Sequence, residues 1–157
     1  MNLREDKHWS YGAAGGFFFT SGQRPYVLNA PVQADKTKEA MAELNKELRA
    51  IVGDRPPTEA ELAAAQERIT LKLPGSFETN AAVASAIGDL VRFRQPDDYY
   101  DKYASNIRAV KLAAVTDAAK SVLRPDALVW VVVGDRAKIE PGIRELGLGE
   151  VSAVTVE

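Results

Sequence analysis

The order of elements in this chain predicts an α+β fold, with helices packed against a mainly antiparallel sheet, and three observations carry that expectation. Two extended stretches, Tyr11 to Thr20 and Tyr26 to Ala34, lie near the start, separated by the turn Ser21-Gly22-Gln23-Arg24-Pro25. A long block from Thr37 to Leu123 then carries apolar residues at helical spacing. Finally, Ala127 to Val133 is nearly continuous apolar and β-branched, the pattern of a central strand covered on both faces.

Taken in order, Met1 to Lys7 reads as the last turns of a helix with no capping residue before its apolar positions. The two extended stretches make an antiparallel hairpin the simplest arrangement, the first ending in Phe17-Phe18-Phe19. Pro31 has no amide to donate and belongs at an edge or a bulge. Gly12-Ala13-Ala14-Gly15-Gly16 is glycine-rich, but no helix follows to offer its N-terminus to a phosphate. Small residues there let another backbone approach closely, either a neighbouring strand or an extended substrate.

The helical block divides at its punctuation. Thr37 is expected as the N-cap of a first helix, with Met41, Leu44, Leu48 and Ile51 on one face and Gly53 as its stop. Thr58 and Glu61 form a capping-box pattern, in which a hydroxyl and a carboxylate satisfy the orphan amides of the next helix. Its buried stripe is Leu62, Ala65, Ile69 and Leu73, ended by Pro74-Gly75. Thr79-Asn80 opens a third helix with Val83, Ile87, Leu90 and Val91 facing inward. A fourth opens at Pro96-Asp97-Asp98, where adjacent carboxylates in a first turn read as caps rather than as metal ligands. Tyr100, Tyr103 and Ile107 share one of its faces. Leu112 to Leu123 is a fifth, and a short helix around Pro141 to Leu146 precedes a last strand over Val151 to Val156.

Composition narrows the function. A chain of 157 residues is the size of one domain, residues 1–157, able to bury about two-thirds of its unfolded surface around one core. With 20 basic against 22 acidic residues and neither sign in a long block, no partner nucleic acid or membrane is indicated. No apolar run approaches the roughly 18 residues of a membrane span. The absence of cysteine excludes disulfides and thiolate metal sites and fits a reducing cytosol or a bacterial periplasm. With no cysteine, no serine elbow and one histidine, His8, a serine or cysteine hydrolase is unsupported, and His8 reads as a surface residue beside Trp9. No calcium-loop spacing of aspartates occurs.

The stretch that carries chemistry is Leu3-Arg4-Glu5-Asp6-Lys7-His8-Trp9-Ser10-Tyr11-Gly12. Arg4 and Tyr11, seven residues apart, offer an always-charged guanidinium fork and a phenolic hydroxyl. Both can hold carbonyl oxygens and stabilise negative charge that develops on them. An arbitrary pair so placed is a solvated helix-end charge and a half-buried strand residue. This stretch, however, resembles the segment Leu-Arg-Glu-x-x-Gly-x-x-Tyr of the insulinase/pitrilysin zinc metallopeptidases, the inverzincins, which include mitochondrial processing peptidase. The fit continues through Asp35-Lys36-Thr37, Pro57-Thr58-Glu59, Phe77-Glu78-Thr79-Asn80, Pro96-Asp97-Asp98-Tyr99 and Val131-Val132-Val133-Gly134-Asp135. Two departures stand out: the family usually has Gly at the position of His8, where a side chain alters the turn, and a hydroxyl cap at that of Lys111.

In that family the zinc lies in a His-x-x-Glu-His motif on one domain, and a zinc-free domain of the same fold faces it across a chamber. The resemblance implies that this chain is the C-terminal, zinc-free, substrate-binding half, with Arg4 and Tyr11 gripping substrate carbonyls. Catalytic and metal-binding residues are then absent from the chain, which binds no cofactor itself; zinc is expected on the missing catalytic half. The expected partners are that zinc-bearing domain or subunit, a peptide or unfolded polypeptide substrate, and a second copy through an exposed sheet edge. The resemblance also implies an incomplete domain, because strands and a helix precede the Leu-Arg-Glu segment in the family and Met1 reads as a cut edge. The alternative implied by the same family is a non-catalytic structural or assembly subunit. Localisation stays open between periplasm and cytoplasm.

Overall fold

The computed structural model describes residues 2–18, 20 and 22–154. It is a helix-rich α+β chain with one small antiparallel sheet. A short π-helical segment, Asn2–Asp6, leads into the hairpin of β1 (Ala14–Phe17) and β2 (Tyr26–Asn29). Six α-helices follow among the described residues: α1 (Thr37–Val52), α2 (Glu59–Lys72), α3 (Asn80–Phe93), α4 (Tyr99–Ala109), α5 (Leu112–Val122) and α6 (Arg136–Glu145). The chain divides into two units, one built from the segments up to and including Phe18, Arg24–Ala50 and Leu123 onward, the other centred on Ile51–Val122.

In the first unit the hairpin pairs Ala14 with Asn29 and Phe17 with Tyr26, whose rings meet edge to face at 5.2 Å. Tyr26 leans across Gly15, where a Cβ would stand 2.3 Å from its Oη. The room at Gly15 is thus taken by a ring, Gly12 and Gly16 face open space, and the neighbouring strand β2 pairs alongside. Leu3, Ala40, Met41 and Ile139 are the buried apolar residues. α6 packs against the 3-10 turn Ala34–Lys36 that precedes α1, and a Cβ on Gly142 would stand 3.2 Å from the Lys38 Cβ. Lys38 and Glu145 pair across this contact.

Thr37 is not the cap of α1. The 3-10 turn makes it a helical residue, and its hydroxyl donates back to the Ala34 carbonyl at 2.9 Å. α6 likewise begins five residues before its expected start, with Pro141 inside it rather than in its first turn. Arg136 and Arg144 clamp Glu140 from one turn either side. Those bonds, Arg136 first, pull the Glu140 carboxyl down to about 2.

The second unit is helical. Thr58 Oγ1 accepts from the Glu61 amide at 3.3 Å and Glu61 Oε2 accepts from the Thr58 amide at 2.9 Å, completing the capping box of α2. Gln66 on α2 donates its side-chain amide to the carbonyls of Ile107 and Val110, at 2.9 and 3.0 Å, closing the C-terminus of α4. Thr79 caps α3 through the Ala82 amide. Asp98 does not cap α4 with its side chain and pairs with Lys102 instead. Phe77, Tyr99, Tyr100 and Tyr103 form an aromatic cluster, and burial raises the Tyr99 and Tyr100 hydroxyls above the ordinary range.

α3 is turned relative to expectation. Val83, Ile87 and Val91 face outward, Val91 at 76% exposure, while Ala82, Ala86, Leu90 and Phe93 are the less exposed positions. The largest correction is Ala127 to Val133, which pairs with no strand among the described residues. Val129, Val131 and Val133 are 90%, 84% and 93% exposed, whereas Leu128, Trp130 and Val132 are less so. The side-to-side alternation of a strand is present, but its hydrogen-bonding partners are not. The expected last strand is absent over 151–154, and its end lies outside the described residues.

Candidate functional site

Arg4 and Tyr11 sit at the two ends of a closed strap. The Trp9 and Ser10 amides both donate to the Leu3 carbonyl, at 3.0 and 3.2 Å. The chain between them is thereby folded back on itself, and Arg4 and Tyr11 are the residues next to this hydrogen-bonded crossing. The Trp9 carbonyl accepts from the Gln33 amide at 3.0 Å, and Ser10 forms an antiparallel bridge with Val32, which ties the strap to the strand ahead of α1. Lys7 lies 4.8 Å above the Trp9 ring and 3.9 Å from Glu43 on α1. Cation-π and ionic attraction thus hold the strap's outer side.

His8 makes the reversal. Its φ is 56°, the left-handed region that glycine enters freely and that a side chain makes costly. The position where the resembling family usually has Gly is therefore the position whose backbone calls for one. The strap keeps the turn with histidine in place, and Gln33 Nε2 donates to the His8 carbonyl at 3.5 Å.

Between the Ser10 bridge and the β1–β2 ladder, Tyr11, Gly12 and Ala13 stand opposite only Ala30 and Pro31. This is a one-residue bulge, with Pro31 across from it where no amide is needed. Bulges re-aim side chains, and Tyr11 is 96% exposed rather than half-buried as a regular strand residue. Arg4 is also exposed and lies 3.9 Å from its neighbour Glu5, too loose a pair to occupy the guanidinium in water. Among the described residues no hydrogen bond joins the two side chains.

The sequence reading did not single out Ser10 or Gln33. Ser10 Oγ is 2.6 Å from the Pro31 carbonyl and 2.8 Å from that of Gly12, and the Gly12 amide donates to it at 3.1 Å. The Ser-x-Gly spacing was a readable turn signal; Gln33 had no local signal for its part in the strap, because its bonds to Trp9 and His8 cross 24 and 25 residues of chain.

Among the described residues no three His, Asp or Glu side chains converge where a metal would sit. No helix in the described residues is long and apolar enough to cross a membrane.

The family model for the peptidase M16 inactive domain matches residues 1–69, which contain the whole strap and hairpin. Among solved structures the chain is similar to the crystal structure of a peptidase M16 inactive domain from Pseudomonas fluorescens, at 18% identity and a TM-score of 0.69. The likeness covers 79% of this chain and 29% of that chain, so this chain spans under a third of the length of that relative. At this identity the likeness establishes the fold. No curated protein sequence matches the chain.

Proposed function

We propose that this chain is part of the zinc-free, substrate-binding half of an insulinase-like zinc metallopeptidase, in which Arg4 and Tyr11 hold substrate carbonyls opposite a zinc site on another domain or subunit. The observation that carries the reading is the strap: an exposed Arg and an exposed Tyr at the two ends of one hydrogen-bonded crossing, inside the segment that matches the inactive-domain family. Donors aimed at the carbonyl oxygen stabilise the negative charge that develops on it. In the proposed enzyme, zinc on the partner half supplies the activated water. This chain contributes the facing wall, and its exposed hairpin edges offer a peptide further backbone bonds.

The test is cleavage of an unstructured peptide by the chain assembled with its zinc-bearing half, with a chelator control. Tyr11→Phe removes one donor and is expected to lower turnover by roughly 10²-fold, and Arg4→Ala to lower it as well. Undiminished turnover in Tyr11→Phe refutes the role. A second reading, a non-catalytic assembly subunit, is favoured by the exposed valines of 129–133, which suit a partner surface. Chelator-insensitive or absent cleavage by the folded assembly supports it.

A further inference from the structure

We propose that Ser10 is the positioning residue for Tyr11, so that its hydroxyl acts on the reaction only through the tyrosine beside it. The inference rests on the substrate-gripping role just proposed for Tyr11. A side chain that is 96% exposed has no packing of its own to hold it. Its aim must come from the backbone at Ser10, Tyr11 and Gly12.

Besides the Ser10 amide and the bridge to Val32, one hydroxyl ties that backbone down. A serine hydroxyl has a single proton and two lone pairs. Here Oγ faces two carbonyls, Pro31 at 2.6 Å and Gly12 at 2.8 Å, and accepts the Gly12 amide at 3.1 Å. It donates to one carbonyl at a time, and the shorter contact favours Pro31. The bond from the Gly12 amide closes a side-chain turn with Tyr11 as its middle residue. The bond to Pro31 ties that turn to the opposite strand, across from the bulge, where the proline leaves no amide to do so. The Ser10 amide meanwhile holds the Leu3 carbonyl beside Arg4. Removing the hydroxyl loosens both anchors of the bulge while leaving the ladder from Ala14 to Phe17 intact.

The test is a set of four assemblies with the zinc-bearing half: unmodified, Ser10→Ala, Tyr11→Phe and the double variant, each measured for kcat and KM on one peptide. A misplacement on the order of 1 Å costs up to about 10²-fold in rate. Ser10→Ala is expected to lower kcat roughly 10-fold or more with tyrosine present, and to change nothing further once Tyr11 is Phe. Ser10→Thr, which keeps the hydroxyl, restores the rate. An equal loss from Ser10→Ala in both backgrounds makes Ser10 merely structural and overturns the proposal. So does an unchanged kcat in Ser10→Ala while Tyr11→Phe is impaired. If Tyr11→Phe is itself unimpaired, the gripping role fails and the Ser10 proposal falls with it. Amide exchange at Gly12 in the chain alone checks the anchor directly: Ser10→Ala should speed it, and an unchanged rate counts against the bond.

Discussion

Helix α2 and the segment Leu128–Val133 differ in where their backbone partners come from. α2 satisfies its amides within itself, closes its start with Thr58 and Glu61, and uses Gln66 to close the end of α4 as well. Leu128–Val133 has the residues of a buried strand, but a strand has no internal hydrogen bonds and depends on a neighbour. With no neighbouring strand among the described residues, three valines stand in solvent. Apolar content therefore does not determine burial; the availability of a partner does.

Substitutions can break that comparison. Met41→Ala should have the largest effect, about 2–5 kcal/mol in denaturant unfolding, because Met41 is 5% exposed and leaves a cavity. Thr58→Ala should cost about 1 kcal/mol and fray α2, seen by circular dichroism. Val131→Lys, at a residue 84% exposed, should change stability by no more than about 0.5 kcal/mol. A cost near that of Met41→Ala would mean that the segment is paired in solution and that the contrast fails.

Acid tests a third kind of local satisfaction. The Glu140 carboxyl titrates at about 2 rather than 4.5 because Arg136 and Arg144 bond its charged form. A depressed carboxylate adds stability that is present above about pH 4.5 and is lost as pH falls through about 2. Carboxyl chemical shifts should place its midpoint near 2, and Arg136→Ala should move it up. A midpoint already at the ordinary value would show that the clamp is not formed in solution.

How much was legible follows from the same physics. The Thr58 box, the Thr79 cap and the hairpin were readable because each is set by residues a few positions apart. The inward face of α3 was not: from Ala81 to Val91 only Ser85 and Asp89 are polar and Gly88 is the one glycine. A nearly all-apolar helix offers packing a choice of stripe. Thr37 misled because a 3-10 turn preceded the helix it was expected to cap. Pro141 misled because prolines usually mark a first turn. At the candidate site, the spacing of Arg4 and Tyr11 was visible. The left-handed turn at His8, the bulge at Tyr11 and the anchoring by Ser10 and Gln33 were not.

By itself, then, the sequence determined what neighbouring residues can settle among themselves: the helix starts at Thr58 and Thr79, the hairpin, the Arg4–Tyr11 spacing, and too few histidines for the family's zinc motif. The tertiary structure alone decided which face of α3 turns outward, that Leu128–Val133 finds no strand partner among the described residues, and that the strap presents Tyr11 to solvent. Those outcomes depend on groups far apart in the chain, whose meeting is governed by packing and long-range hydrogen bonds rather than by local spacing.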